Sequence, residues 1–550
     1  MSDRGDLPPS TQPKAHPGAA TGEASLAKAA GVISAATLIS RLLGLAREQI
    51  FAAFFGAGFA VDAFQVAFRI PNLLRDLFAE GAMSAAFVPT LTRVQEKDGR
   101  EAAMRLANLV INFLVVVVSA ICLLGIVFAH EIVPLMAPGF GSIPGKLELT
   151  TQMTQIMTPF LLLVAVAAAV MGVLNTRRVF FVPAIAPTML NLALIAAGFL
   201  IAPFCPRFGL QPIVGMAFGV ILGGLGQLFI QVPALVRQGY RWRPEISFRD
   251  PGVVRIVTLM APAAIGLAAT QVNIFVNTLL ASFLPQGSVS WLNYAYRLMQ
   301  LPIGLFGVAI ATVTLAEVAR HAARKDMPEL KRTLSFSLRF GLFLTLPATF
   351  LLIALAHPIV VLLYQHGRFG AGDSWQTAQA LWAYAAGLSA FSAVRVMVPV
   401  YYALGMTRIP VTISFITIAV NVVLNLVLMG PLQHRGLALA TSIASVLNFV
   451  LLFEMLRRKI GPMGGRMLLR SSVKITFAAA LAAGAGYLAA HGLEHAIGIR
   501  SLLERVLVVA AGLTMATVIY IAAAITLRIE ESAPLWALLR RLTRRERPAR

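Results

Sequence analysis

Residues 104–129 read MRLANLVINFLVVVVSAICLLGIVFA, and after Arg105 no charged side chain interrupts the run. An apolar segment of about twenty residues is long enough to cross the hydrocarbon core as a helix. A helix is also what a bilayer demands, because no water is present there to satisfy unpaired backbone groups. Similar runs precede it at approximately 28–55 and 60–90, and follow it at 151–174, 182–203, 212–237, 252–284 and 288–320. The series continues at approximately 332–356, 375–404, 409–430, 435–457, 469–490 and 501–527. The sequence therefore predicts an all-α polytopic membrane protein with about fourteen transmembrane helices.

Composition agrees with this reading. Of 550 residues, 58% are hydrophobic and 13% charged, whereas soluble domains carry roughly 25% charge. Mean hydropathy is +0.78. The net charge of +22 does not point to nucleic acid, because the basic residues form short clusters between apolar runs and few aromatics are interleaved with them. Cys122 and Cys205 stand far apart, each in or beside an apolar run, with neither a disulfide framework nor metal-ligand spacing. Residues 1–26, rich in Pro, Ala, Gly and Ser, lack the apolar core of a signal peptide and are expected to form a disordered cytoplasmic tail.

An even number of spans places both termini on one side. Basic residues concentrate in the even-numbered connections, among them Arg177–Arg178, Arg237/Arg241/Arg243, Arg324–Lys325 and Arg457–Arg458–Lys459, and in the tail 528–550. Positive residues stay inside, so both termini are expected to be cytoplasmic in a bacterial inner membrane.

An internal repeat divides the chain. Gly215, Gln227 and Arg237 of the sixth span return at one constant spacing as Gly436, Asn448 and Arg458 of the twelfth. Ala67-Phe68-Arg69 parallels Ala295-Tyr296-Arg297, and Thr176-Arg177 with Asn191 parallels Thr407-Arg408 with Asn421. Two pseudo-symmetric six-helix lobes are expected at 27–238 and 251–458, with a substrate site between them. Two extra C-terminal helices, at 468–527, fall outside the repeat.

The first two spans carry charge where charge is expensive. An arginine at mid-bilayer costs at least about 2.5–3.5 kcal/mol on insertion scales, so it faces a partner or water. Helical spacing sets Ser34, Thr37, Arg41 and Glu48 on one stripe, with Arg47 beside it. Asp62, Arg69, Asn72, Asp76 and Glu80 form another, bent by Pro71, with Arg75 adjacent. Arg297, the counterpart of Arg69, brings one cation from the second lobe. A cavity lined by these groups is cationic on balance, and guanidinium forks suit phosphate oxygens. The substrate implied is a phosphate or diphosphate. Some of these groups can instead stitch helices together, Arg69 with Asp62 or Asp76 and Arg47 with Glu80. Arg395 and Lys474 read as snorkelling or paired residues.

No nucleotide-binding loop, nucleophile elbow or zinc motif occurs, so neither catalysis nor a cofactor is expected. Transport must then draw on an ion gradient, a membrane potential or the substrate gradient.

The run Ser40-Arg41-Leu42-Leu43-Gly44-Leu45-Ala46-Arg47-Glu48 resembles the first-helix signature of the MurJ (MviN) lipid II flippase family. Val61-Asp62-Ala63-Phe64, Pro71-Asn72-Leu73-Leu74-Arg75, Phe78-Ala79-Glu80-Gly81-Ala82 and Ala86-Phe87-Val88-Pro89 continue the likeness, as do Gly287–Trp291, Tyr294, Arg297-Leu298-Met299 and Leu301-Pro302. The resemblance implies the fold of the multidrug/oligosaccharidyl-lipid/polysaccharide exporter superfamily, with a V-shaped cavity of alternating access. It also implies a groove at spans 13 and 14 for an undecaprenyl tail. Carried over by position, Arg41, Arg47, Arg75, Arg297 and Asp62 would bind the head group, and Glu48, Arg69, Asp76 and Glu80 would serve gating or charge balance. The chain departs from the pattern at Asp76, Tyr296 and Gln300.

The function expected is transfer of lipid-linked peptidoglycan precursor across the membrane, in service of cell-wall biogenesis and cell shape. Membrane lipids, and cell-wall synthesis or division proteins, are the further partners considered. A multidrug-type cation antiporter of the same superfamily is the alternative. It would favour an acid-rich cavity and twelve spans.

Overall fold

The computed structural model describes residues 36, 38–75 and 82–533. The expected tail 1–26, the start of the first expected span, Asp76, Glu80 and the arginines from Arg540 onward lie outside these residues.

Among the described residues the regular elements are helical throughout. The first half comprises α1 (38–55), α2 (Phe59–Arg75), α3 (Ala82–Val127), α4 (Ala129–Met136), α5 (Lys146–Met157), α6 (Phe160–Thr176), α7 (Phe181–Ile185), α8 (Thr188–Leu200), α9 (Val214–Phe229) and α10 (Val232–Arg237). The second half begins with α11 (Pro251–Ser282), α12 (Ser288–Pro302), α13 (Val308–Ala323), α14 (Met327–Ala354) and α15 (Ala356–Tyr364). It continues with α16 (Ala371–Ala385), α17 (Leu388–Ala403), α18 (Arg408–Leu432) and α19 (His434–Ile460). A final hairpin is formed by α20 (Gly465–Ile497) and α21 (Leu502–Thr526).

Ten helices among the described residues are long and apolar enough to span a bilayer, or up to 11 when the pair α16–α17, bent by 44°, counts as one. The three expected spans outside this number have particular reasons. The first begins outside the described residues, the second is charged by Asp62, Arg69 and Arg75, and the side chains of 261–270 within α11 are not described.

Breaks in the helices follow the chemistry of the chain. The sequence places a loop between the second and third spans, but α3 runs through it and is interrupted only by the non-helical backbone of Gly99 (φ 87°). Pro302 withdraws one backbone donor, and the next turn, Ile303–Gly307, widens to a π-helix.

The repeat has a packing cause. A Cβ on Gly215 would sit 2.6 Å from the Ala202 backbone, and one on Gly436 would strike the Leu428 carbonyl. Both glycines let a helix pack closely on the segment before it. A buried cluster joins the halves at one end, with Ala52, Val61, Val66 and Phe140 meeting Tyr294, Leu298, Tyr364 and Phe369.

The final hairpin is a small-residue crossing. A Cβ on Gly486 would lie 2.8 Å from the Gly512 carbonyl oxygen, whereas one on Gly484 meets nothing within 4 Å among the described residues. The hairpin is tied to the second half at both ends. Arg505 Nη1 donates to the Gln365 carbonyl at 2.6 Å, and Arg339 Nη1 donates to Glu531 at 2.6 Å. Lys474, read from sequence as snorkelling or paired, donates to the Leu527 carbonyl at 2.9 Å. Gly486→Val is expected to lower stability by about 1–3 kcal/mol, because the crowded atom is backbone and cannot move aside. Thermal unfolding in detergent checks this, with Gly484→Val as the variant that should unfold like the parent.

Candidate functional site

On α1, Arg47 is held from two directions. Its Nη1 donates to Asn191 Oδ1 of α8 at 3.0 Å, and its Nη2 is paired with Glu48. Asn191 also donates to the Ser40 carbonyl at 3.1 Å, so one amide fixes both the backbone of α1 and its arginine. Glu48 is 3% exposed. Arg297 reaches it from α12, Nε to Oε1 at 3.5 Å, with half of the Arg297 side chain (50%) still exposed. Among the described residues Glu48 Oε2 and Arg47 Nε have no hydrogen-bond partner. A carboxylate thus sits between two guanidinium groups, one from each half of the chain.

Arg41 lies about two turns away on α1 and crosses to the second half about two turns beyond Arg297. A Cβ on Gly304, in the π-helical turn, would overlap its guanidinium. Arg47, Glu48 and Arg297 are therefore brought together between the halves, and Arg41 reaches across to the second half two turns away, at Gly304. Arg69 and Arg75 lie on α2, half-buried and each engaged in an interaction. Arg395, also read as paired or snorkelling, donates to Gln300 at 3.4 Å.

Gly304→Val is expected to impair transport while costing less than about 1 kcal/mol of stability, because the group displaced is the free end of a long side chain. Precursor sidedness read beside thermal unfolding separates the two effects.

Asp62 is elsewhere, at the end where the halves are joined. It is 1% exposed. Lys146 Nζ donates to Oδ2 at 2.9 Å, and the Gly287 N–H to the same oxygen at 2.8 Å. The Ser290 N–H and hydroxyl donate to Oδ1 at 2.9 and 2.5 Å. Gly287, the N-cap of α12, offers that helix no side-chain cap. A carboxylate from the other half of the chain supplies one, in the favourable direction of the helix dipole. Lys146 is 1% exposed and also lies over the Phe140 ring at 4.1 Å. The same end is closed by contacts to backbone carbonyls, Arg368 N–H to Ala53 at 2.9 Å and the Tyr294 hydroxyl to Gly56 at 3.2 Å.

Lys146, Asn191, Gly304 and the cap formed by Gly287 and Ser290 were not singled out as site residues by sequence. For Lys146 a signal was available, since it is a lone cation in the 130–150 connection.

A second polar space, about 240 Å³, lies within the second half, bordered by Asn273, Thr417, Asn421, Thr441, Ser445 and Asn448. Nothing among its bordering residues is ionisable. Asn425 beside it donates to Asn277 at 2.5 Å and to Asn421 at 3.1 Å. Among the described residues no group of three or more His, Cys, Asp or Glu could hold a metal ion.

This geometry can be set beside known proteins. Residues 51–508 match the family described as Lipid II flippase MurJ. A relative from Burkholderia cenocepacia, a lipid II flippase MurJ, is 36% identical over 439 residues, 79% of this chain and 84% of that one. A solved lipid II flippase MurJ in an inward closed conformation aligns with a TM-score of 0.74 and 26% identity, covering 90% of this chain and 98% of that one. An inward-facing multidrug-resistance MATE transporter of the MOP superfamily aligns with a TM-score of 0.65 over 78% of this chain and 96% of that one, at 13% identity, a likeness of fold alone. The all-helical polytopic architecture, the charged contact between two halves and the match over most of its length converge: the chain belongs to the lipid II flippase MurJ family.

Proposed function

We propose that the protein is a lipid II flippase that carries undecaprenyl-diphosphate-linked peptidoglycan precursor from the cytoplasmic to the outer leaflet by alternating access. The observation that carries this reading is the meeting of Arg47 and Arg297 around Glu48 between the two halves, with Arg41 reaching across the same seam at Gly304. The diphosphate enters this cluster, takes over the guanidinium forks from Glu48 and is exposed on the other side when the halves rock. Arg75 adds a cation along the entry path, and Arg69, Asp76 and Glu80 serve gating or charge balance. Asp62 acts at the outer end as a latch between the halves, so its contribution to substrate binding is indirect.

The lobes are 27–238 and 251–458, and 468–527 forms the groove for the lipid tail. The tails 1–26 and 528–550 both lie in the cytoplasm, and the membrane is the bacterial inner membrane. Cell-wall synthesis or division proteins dock on the cytoplasmic loops. An acid-rich cavity, which the antiporter alternative needs, is not what these arginines make.

The test is depletion of the protein in its host, followed by digestion of the lipid-linked precursor with an enzyme confined to the outside. Precursor that accumulates but stays protected identifies flipping as the missing step. Precursor still cleaved from outside, together with failed cation or drug export, would replace this reading with the antiporter.

A further inference from the structure

A cavity of about 690 Å³ opens between the start of α14, the 461–464 linker and the residues that follow α21. It lies at the end of the molecule that bears Arg457, Arg458 and Lys459. Its walls come from places where apolar helices begin or end, Met327 for α14, Gly465 for α20 and Thr526 for α21. The ends of membrane-spanning helices mark the level at which lipid head groups lie.

Three cations border the cavity, Lys331, Arg332 and Arg339. Arg339 is 8% exposed. Its Nη1 is taken up by Glu531 and, at 3.3 Å, by Glu530, but among the described residues its Nε has no partner. The start of α20 also borders it, and the N-cap Gly464 gives that 33-residue helix no side-chain cap. Uncapped first-turn amides together with guanidinium and ammonium groups form a receptor for phosphate oxygens. The two acids on the rim are already engaged, Glu329 with Arg332 at 3.4 Å and Glu530 with Arg339. Exposed Phe336 and Met467 supply an apolar wall that a free anion would not use.

We propose that this cavity is a binding site for a membrane phospholipid, whose phosphate rests on the start of α20, Lys331 and Arg339 and whose acyl chains run along Phe336 and Met467. The lipid is a resident of the leaflet on the basic side, distinct from the transported precursor, and it bridges α14 to the terminal hairpin. The combination of charge and apolar wall at head-group depth is the basis for choosing a lipid.

The test uses the full-length protein, delipidated in detergent, titrated with phosphatidylglycerol, with diacylglycerol of the same chains and with inorganic phosphate, and read by native mass spectrometry. One phosphatidylglycerol is expected to be retained where diacylglycerol is not. Lys331→Ala/Arg332→Ala, both on accessible side chains, should weaken it about tenfold, the effect of losing one charge-assisted contact. Met467→Trp should weaken it by filling the apolar wall, and Arg408→Ala, at the same end but outside the cavity, should not. Equal retention of phosphatidylglycerol and diacylglycerol, or unchanged retention in both cavity variants, overturns the proposal. Displacement of the lipid by equimolar inorganic phosphate overturns the choice of a lipid.

Discussion

Replacing Asp62 with alanine is expected to abolish transport and to lower stability by about 3–5 kcal/mol, the range for removing one partner of a buried ion pair. The loss has two components. Lys146, almost fully buried, is left without its counter-ion, and the start of α12 loses the acceptor for its Gly287 and Ser290 amides. Lys146→Met should be nearly as damaging, since it leaves Asp62 buried with only neutral donors. Asp62→Ala combined with Lys146→Met should be milder than the sum of the two, with a coupling of about 0.5–3 kcal/mol for residues in direct contact. Thermal unfolding of the four proteins in detergent measures that coupling, and complementation of depleted cells measures function. A fully active, stable Lys146→Met protein would remove the latch from the mechanism.

The latch also explains what sequence could and could not reveal. Asp62 stood out because a carboxylate in a spanning helix is costly, and that argument holds wherever its partner lies. Its partner was another matter. Helical periodicity relates residues on one helix, so Asp62 was grouped with Arg69 and Asp76, whereas its hydrogen bonds come from α5 and α12. Nothing in the local pattern of Lys146 or Ser290 encodes that meeting. It exists because the halves close at one end, a relation between segments far apart in the chain.

The spans themselves were legible for the opposite reason. Apolar length is a local property, and Ser288–Ala323, Arg408–Leu432 and Leu502–Thr526 fall close to their expected positions. Breaks were less visible. The expected tenth span is two helices bent at Ala386–Gly387, where a Cβ on Gly387 would press 2.7 Å from the Ser442 backbone. The bend follows from contact with α19, which no window of sequence contains. The repeated glycines lie between these cases: their recurrence was visible, and their role in close helix packing emerged only with the neighbouring helix in view.

The remaining large effect is expected at the arginine cluster. Arg297→Ala should reduce transport about 10- to 150-fold or more while leaving the protein folded, from loss of charge-assisted hydrogen bonds worth about 1.5–3 kcal/mol each. Half of its side chain is exposed, so its removal opens no closed core, and Glu48 keeps Arg47 as a counter-ion. Arg297→Lys is the discriminating variant. A lysine retains the charge and can still face Glu48, but it lacks the fork that grips two phosphate oxygens together. If Arg297 serves to bind diphosphate, the lysine variant should transport poorly, with intact thermal stability. If Arg297 serves only to neutralise Glu48, lysine should restore transport, and Glu48→Gln should make Arg297 dispensable. Sidedness of the precursor in cells carrying each variant, with Arg41→Ala as the companion that should also block transport, separates a substrate ligand from a charge balancer.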